Sequence, residues 1–147
     1  MNNDAPDFNF TATNNLTGNL SQFKGKNIVL YFYPRDNTPG CTQETQDFRD
    51  LYDKFLEKNT VILGISRDTL SSHEKFKAKH NVPFELIADP EEEICNIFEV
   101  MKEKNMYGKK CRGIERSTFL FDTSGKIIKQ WRKVKVPGHA NEVLAII

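Results

Sequence analysis

The sequence predicts an α/β fold, a central mixed sheet flanked by helices, in a single domain spanning residues 1–147. Three observations predict it. Residues 28–33 and 61–65 are almost entirely apolar or aromatic, the pattern of strands buried on both faces. Between them Phe48, Leu51, Tyr52, Phe55 and Leu56 recur at helical spacing. Further on, residues 118–121 and 127–131 flank Asp122-Thr-Ser-Gly125, a hairpin signal. Strand, helix and strand in that order make a βαβ unit with parallel strands, and the hairpin adds antiparallel ones.

The remaining elements follow in order. Phe8, Phe10 and Ala12 alternate with polar residues and predict a short strand before an Asn14-Asn15 turn. The long helix ends at Lys58-Asn59. Ser71-x-x-Glu74 reads as a capping box that starts the next helix, and Asn81-x-Pro83 stops it. Residues 84–87 predict a third strand. Asp89-Pro90 opens a short helix with Glu91, Glu92 and Glu93 in its first turn, where acidic residues complement the helix dipole. Ile94, Ile97, Phe98 and Met101 form its buried face. Residues 102–113 are polar, basic and without period, and read as a loop. A last helix holds Val143, Leu144 and Ile147.

The chain has 147 residues, enough for one domain with a real core. It carries 21 basic and 20 acidic residues, a balance that gives no sign of a nucleic-acid or membrane partner. No apolar run approaches the roughly 20 residues of a membrane span. The first ten residues, MNNDAPDFNF, have neither a basic nor an apolar signal-peptide region. Three widely spaced cysteines fit a reducing compartment better than a disulfide-stapled fold, so a cytoplasmic location is expected.

Residues 31–44, YFYPRDNTPGCTQE, carry the chemistry. An apolar strand runs into a turn, and a cysteine sits where a helix begins. Thr38 suits the N-cap and Pro39 the first helical position, which puts Cys41 in the first turn. Unpaired backbone N–H groups and the positive end of the helix dipole converge there. Both favour a thiolate, so Cys41 is the candidate nucleophile. No second cysteine lies two or three residues away, which excludes a Cys-x-x-Cys dithiol.

Pro34-x-x-x-Thr38-x-x-Cys41 resembles the active-site signature of peroxiredoxins. The longer Asn37-Thr-Pro-Gly-Cys-Thr-x-Glu44 resembles the bacterioferritin comigratory protein, or peroxiredoxin Q, branch of that family. Gly64-Ile-Ser-Arg-Asp68, Ser72-His73, Lys109-x-x-x-Gly113-Ile-Glu-Arg-Ser-Thr-Phe119 and Trp131-Arg-Lys-Val-Lys-Val136 look like the same branch, in the same order along nearly the whole chain. The resemblance implies a thioredoxin-like fold and a thiol peroxidase that passes through a Cys41 sulfenic acid. It carries the family's active-site arginine onto Arg116, whose charge would favour the thiolate and stabilise the transition state. It gives Pro34 the role of shielding the thiolate and Glu44 that of holding Arg116. The N–H groups of Gly40 and Cys41 and the Thr38 hydroxyl are candidate peroxide contacts. No metal, haem or flavin is implied.

The chain also departs from much of that family, in which a resolving cysteine stands five residues after the nucleophile; here the residue is Gln46. Cys95 flanks an apolar helix face and reads as core. Cys111, among Lys109, Lys110 and Arg112, reads as an exposed loop thiol. Both remain possible resolving residues, but the expected reductant is external: thioredoxin, glutaredoxin or a small thiol. A monomer is expected by analogy. His73, His80 and His139 show no metal-ligand spacing and read as surface or helix-end residues. Lys129, Arg132, Lys133 and Lys135 around Trp131 read as a solvated strand face. A non-catalytic redox sensor is the alternative reading. A binding module with a vestigial site is a third, against which the intact Thr38, Cys41 and Arg116 set argues.

Overall fold

The computed structural model describes residues 7–106 and 108–147. The first six residues, on which the signal-peptide expectation partly rests, and Tyr107 lie outside them. Among the described residues, nine strands and four α-helices follow in the order β1 (Asn9–Ala12), β2 (Thr17–Asn19), β3 (Asn27–Phe32), α1 (Pro39–Glu57), β4 (Thr60–Ser66), α2 (Leu70–His80), β5 (Glu85–Ala88), α3 (Glu93–Ile97), β6 (Met101–Met106), β7 (Lys109–Ile114), β8 (Ser117–Phe121), β9 (Ile127–Trp131) and α4 (His139–Ile146), with a 3-10 turn at Leu20–Phe23 after β2. Seven of the strands form one sheet in the order β2-β1-β5-β4-β3-β8-β9. β3, β4 and β5 are parallel, joined by crossovers through α1 and α2, while β1, β2, β8 and β9 pair antiparallel. This is the mixed sheet that the βαβ unit and the hairpin predict.

The strand period of two divides the core. Ile28, Leu30 and Phe32 of β3 face one side, where they pack with Ile94, Cys95, Phe98 and Phe119. Val29 and Tyr31, followed by Tyr33, face the other, where they pack with Phe48 and Phe55 of α1, Phe76 of α2 and Val143 of α4. Cys41 belongs to this second cluster. Tyr31 anchors α1 directly beneath it. Its ring stacks on Phe48 with centroids 4.8 Å apart, and its hydroxyl lies 3.0 Å from Thr45 Oγ1. Gly64 of β4 makes room for that ring, because a Cβ there would stand 2.8 Å from the Tyr31 hydroxyl.

Several local readings change. Residues 102–113 are not a loop: Met101–Met106 and Lys109–Ile114 pair as an antiparallel hairpin, a separate two-stranded sheet. Lys102, Glu103 and residues 108–112 are exposed, so no buried face imposes an apolar alternation; Ile114 enters the core at one end, with Met101 packed against it. The second helix starts at Leu70, not after Ser71. Thr69 is its N-cap, and its side chain accepts from Ser72 N–H at 3.2 Å. The third helix is a single turn. Asp89 caps it by accepting from the N–H groups of Ile94 and Cys95, while Glu91 and Glu92 precede it and Met101 lies in β6. β2 was not expected; it pairs with β1 after Asn14 and Asn15, both left-handed. Among the described residues, no helix is long and apolar enough to cross a membrane.

Candidate active site

The site is built where β3 hands over to α1. After Tyr33 the chain turns, with Asn37 in the left-handed region at φ 63°. Thr38 takes an extended N-cap conformation and Pro39 the first helical position. The Thr38 hydroxyl does not cap the helix as expected. It donates to the Arg35 carbonyl at 2.9 Å, closing the turn on itself. The Thr38 carbonyl accepts the Thr42 N–H at 2.9 Å and starts the helix. With its proton committed to Arg35, the Thr38 oxygen is left as an acceptor.

Cys41 is only 1% exposed. Arg116, in the short link between β7 and β8, reaches it across 75 residues of sequence. One terminal nitrogen, Nη2, donates to Cys41 Sγ at 3.4 Å, and the other, Nη1, donates to Glu44 Oε1 at 2.7 Å. Cys41 and Glu44 are three residues apart on α1, hence on one helix face, and a single guanidinium spans both. Gly40 permits that approach, since a Cβ there would stand 3.2 Å from Nη2. Glu44 Oε2 is buried and has no hydrogen-bond partner among the described residues. Burial pushes the Glu44 carboxyl up to about 7, against the opposing pull of Arg116. For Arg116, burial disfavours the charge, but Glu44 and Cys41 beside it outweigh that and hold it above its usual range. The N–H groups of Gly40 and Cys41 lie in the first helical turn, where helix geometry supplies no partner for them.

Pro34 and Arg116 both line a cavity of about 470 Å³ that continues past Val134 and between Lys102 and Lys133. The sequence-predicted set Pro34, Thr38, Gly40, Cys41, Glu44 and Arg116 therefore gathers around one turn. The other two cysteines lie outside it. Cys95 is fully buried in the opposite core, where burial and the neighbouring Asp89 push its thiol up. Cys111 is exposed, as expected, but on strand β7, opposite Lys104 in register. Its neighbour Arg112 is paired with Glu92, which also binds Arg67 at 3.0 Å. Gln46 points from α1 towards α2, with Nε2 3.4 Å from His80 Nδ1.

Of the histidines expected at the surface or at helix ends, His139 does open α4, but it and His73 are buried. His73 is fully buried, with Nδ1 2.8 Å from Asp36 Oδ2 and Nε2 2.9 Å from the Ile87 carbonyl. His139 is buried against Phe48 and Trp131, with Nε2 2.8 Å from Thr118 Oγ1; burial lowers its pKa. The Ser72-His73 pair stood among the family-like motifs, but a histidine on a polar helix carries no period that marks it as buried. Asp36, Asp68 and His73 bring one ligand-type atom each within 4.8 Å of one another. Both His73 nitrogens are already engaged by protein oxygens, Nδ1 by Asp36 and Nε2 by the Ile87 carbonyl. Arg132 is likewise more than a solvated cation: it donates to the Phe98 and Glu99 carbonyls and lies over the Phe119 ring.

A parallel–antiparallel sheet of this order, with a cysteine at the start of the helix after its central strand and an arginine on the thiol, defines a thioredoxin-like thiol enzyme. The comparisons with known proteins are more specific. The model of the AhpC/TSA family matches residues 1–130. Peroxiredoxin Bcp of Bacillus subtilis is 52% identical over 140 residues, 95% of this chain and 89% of that protein. Peroxiredoxin Bcp of Xanthomonas campestris is 51% identical over 128 residues, 87% of this chain and 80% of that protein. A crystal structure of a Xylella fastidiosa PrxQ variant superposes with a TM-score of 0.91 at 40% identity, covering 99% of this chain and 95% of the other. The bacterioferritin comigratory protein of Xanthomonas campestris, whose structures were described in connection with alkyl peroxide reduction, superposes with a TM-score of 0.90 at 46% identity, covering 95% and 88%. The chain belongs to the AhpC/TSA family, and within it to the peroxiredoxins of the Bcp, or PrxQ, type, which are thiol-dependent peroxidases.

Proposed function

We propose that this peroxidase uses Cys41 as its nucleophile and acts on hydrogen peroxide and organic hydroperoxides. The observation that carries the reading is the Arg116 guanidinium donating to Cys41 Sγ at 3.4 Å while pinned by Glu44 at 2.7 Å. The thiolate attacks one peroxide oxygen. An S–O bond forms and the O–O bond breaks. The departing oxygen leaves as hydroxide or alkoxide and takes a proton to become water or an alcohol. Arg116 and the Gly40 and Cys41 N–H groups are donors for the charge that develops on the oxygens, and the Thr38 oxygen accepts a hydrogen bond from the peroxide O–H, whose proton stays on the oxygen that joins Cys41 as the sulfenic acid. Pro34 shields the sulfur. The cavity beside Pro34 and Arg116 has room for the carbon part of an organic hydroperoxide, in keeping with the alkyl peroxide reduction described for the Xanthomonas relative.

The Cys41 sulfenic acid is then reduced from outside. A first external thiol attacks the sulfur and water leaves, giving a mixed disulfide. A second thiol releases Cys41 and carries away the new disulfide. Gln46 at the position of a near resolving cysteine, and the burial of Cys95, support thioredoxin, glutaredoxin or a small thiol in this role. We read the chain as one domain, monomeric and cytoplasmic. The test is Cys41→Ser. Peroxide consumption with thioredoxin or dithiothreitol should vanish while the circular dichroism spectrum stays native, because a hydroxyl cannot supply the anionic nucleophile at neutral pH. Turnover near wild type in that variant would sink the assignment.

A further inference from the structure

The turn that leads to Cys41 is held by a buried polar cluster that the peroxide chemistry does not use. Asp36 lies in that turn, between Pro34 and Thr38, and is buried. Its carboxylate accepts the Tyr33 hydroxyl at 2.6 Å, the Ser72 hydroxyl at 2.8 Å and His73 Nδ1 at 2.8 Å. Its backbone N–H donates to Asp68 at 2.9 Å. His73 continues the chain to the Ile87 carbonyl of β5 at 2.9 Å. Through one side chain and one N–H, the turn is thus tied to α2, to β5 and to the link after β4. His73 is therefore set between two oxygens, Asp36 Oδ2 at Nδ1 and the Ile87 carbonyl at Nε2, and bridges the turn to β5.

We propose that His73 is a positioning residue for the peroxidase reaction. It holds Asp36, Asp36 holds the turn bearing Pro34 and Thr38, and the turn keeps Cys41 closed against Arg116. This inference rests on the reading of Cys41 as the nucleophile. Its consequence concerns two half-reactions with opposite needs. Oxidation needs Cys41 packed against its donors. Reduction of the sulfenic acid by an external thiol needs the sulfur of Cys41, a residue buried in the reduced protein, to become reachable. A clamp on the turn speeds the first and restrains the second. A residue that served only global stability would not move the two in opposite directions.

Removing the partner of a buried carboxylate leaves its charge stranded, whereas replacing both by hydrogen-bonding neutral groups does not. His73→Gln should therefore slow single-turnover oxidation of Cys41 by hydrogen peroxide roughly 10- to 100-fold, the scale of a small misplacement in a preorganised site. Reduction of the Cys41 sulfenic acid by dithiothreitol should be as fast as in wild type or faster. Asp36→Asn together with His73→Gln should recover oxidation to within about threefold of wild type, since the stranded charge is gone. Should His73→Gln fail to fold, Ser72→Ala, which removes one donor from the same carboxylate, replaces it and should shift both half-reactions the same way to a smaller extent. Independently, long-range proton–nitrogen spectra of the wild type should show the His73 nitrogen that faces Asp36 protonated at neutral pH, because an ionised carboxylate can only accept. A bare nitrogen there, unchanged oxidation in His73→Gln, or equal slowing of both half-reactions would each overturn the inference while leaving Cys41 oxidation in the wild type intact. A wild type that mass spectrometry shows unoxidised at Cys41 would instead overturn the reading of Cys41, and this inference with it.

Discussion

Arg116 Nη2 stands 3.4 Å from Cys41 Sγ, two residues that no local pattern connects. The contact exists because β8 pairs antiparallel with β3, with Phe32 opposite Ser117 in register. The residue just before β8 is therefore carried to the end of β3, where the turn to α1 begins. Arg116→Met should keep the fold and slow Cys41 oxidation about 100-fold or more, the typical loss when a preorganised charge-assisted donor is removed. Stopped-flow oxidation with hydrogen peroxide measures it. A rate equal to wild type would take Arg116 out of the reaction.

That pairing marks the limit of what the sequence discloses. The buried strands, the helical stripe of α1 and the hairpin around Asp122 are periodic patterns, and periodicity reports burial directly. The placement of Cys41 in the first turn of α1 was legible from its neighbours Thr38, Pro39 and Gly40, because a helix start is a local event. Arg116 was legible only through a family resemblance. The hairpin of residues 101–114 was missed because its exposed stretch gives no alternation, and α3 was read as too long because Asp89 caps a turn that begins only at Glu93, which leaves Glu91 and Glu92 ahead of it. The burial of His73 and His139 was missed because polar residues satisfied by distant partners leave no trace in a pattern of apolar positions.

Gly40 offers a finer test of the same geometry. A Cβ there would meet Arg116 Nη2 at 3.2 Å and press the guanidinium away from the sulfur. Gly40→Ala also improves helix propensity by up to about 1 kcal/mol. The variant should therefore be as stable as wild type or slightly more so in urea, yet oxidise more slowly by roughly three- to tenfold, since transition-state donors depend steeply on position. Full activity would mean that Arg116 shifts without cost and that its distance from Sγ is not critical.

Glu44 predicts a pH dependence of stability. Its carboxyl is carried from an ordinary 4.5 to about 7 by burial. The folded protein therefore binds a proton more tightly than the unfolded chain between those values, and stability falls as pH rises through that window. At 1.36 kcal/mol per pH unit, this single group accounts for at most about 3 kcal/mol lost by pH 8 relative to pH 4.5. Glu44→Gln cannot titrate, so the difference in unfolding free energy between wild type and variant should change along this window. The wild type gains on the acid side. Parallel pH profiles for the two proteins would mean that Glu44 stays ionised throughout, held by Arg116.

Resolution of the sulfenic acid is the step where the fold narrows the choices. A resolving thiol needs thiolate character, access and alignment with the sulfur it attacks. Cys95 fails on the first two: it is buried in the core opposite Cys41, and both burial and Asp89 hold it as the thiol. Cys111 has access, but it is fixed in register on β7, and the adjoining Arg112 is tied to Glu92 and, at 3.4 Å, to Asn96 of α3. Delivering it to Cys41 would mean breaking those ties and the hairpin pairing, not the swing of a free loop. The Cys95→Ser, Cys111→Ser double variant should therefore turn over peroxide with thioredoxin, glutaredoxin or dithiothreitol at close to the wild-type rate. Mass spectrometry of the wild type after one equivalent of peroxide should show Cys41 as sulfenic acid or as a mixed disulfide with added thiol. A Cys41–Cys111 disulfide in that spectrum, with thioredoxin-linked turnover lost in the double variant, would show instead that the hairpin opens during the cycle.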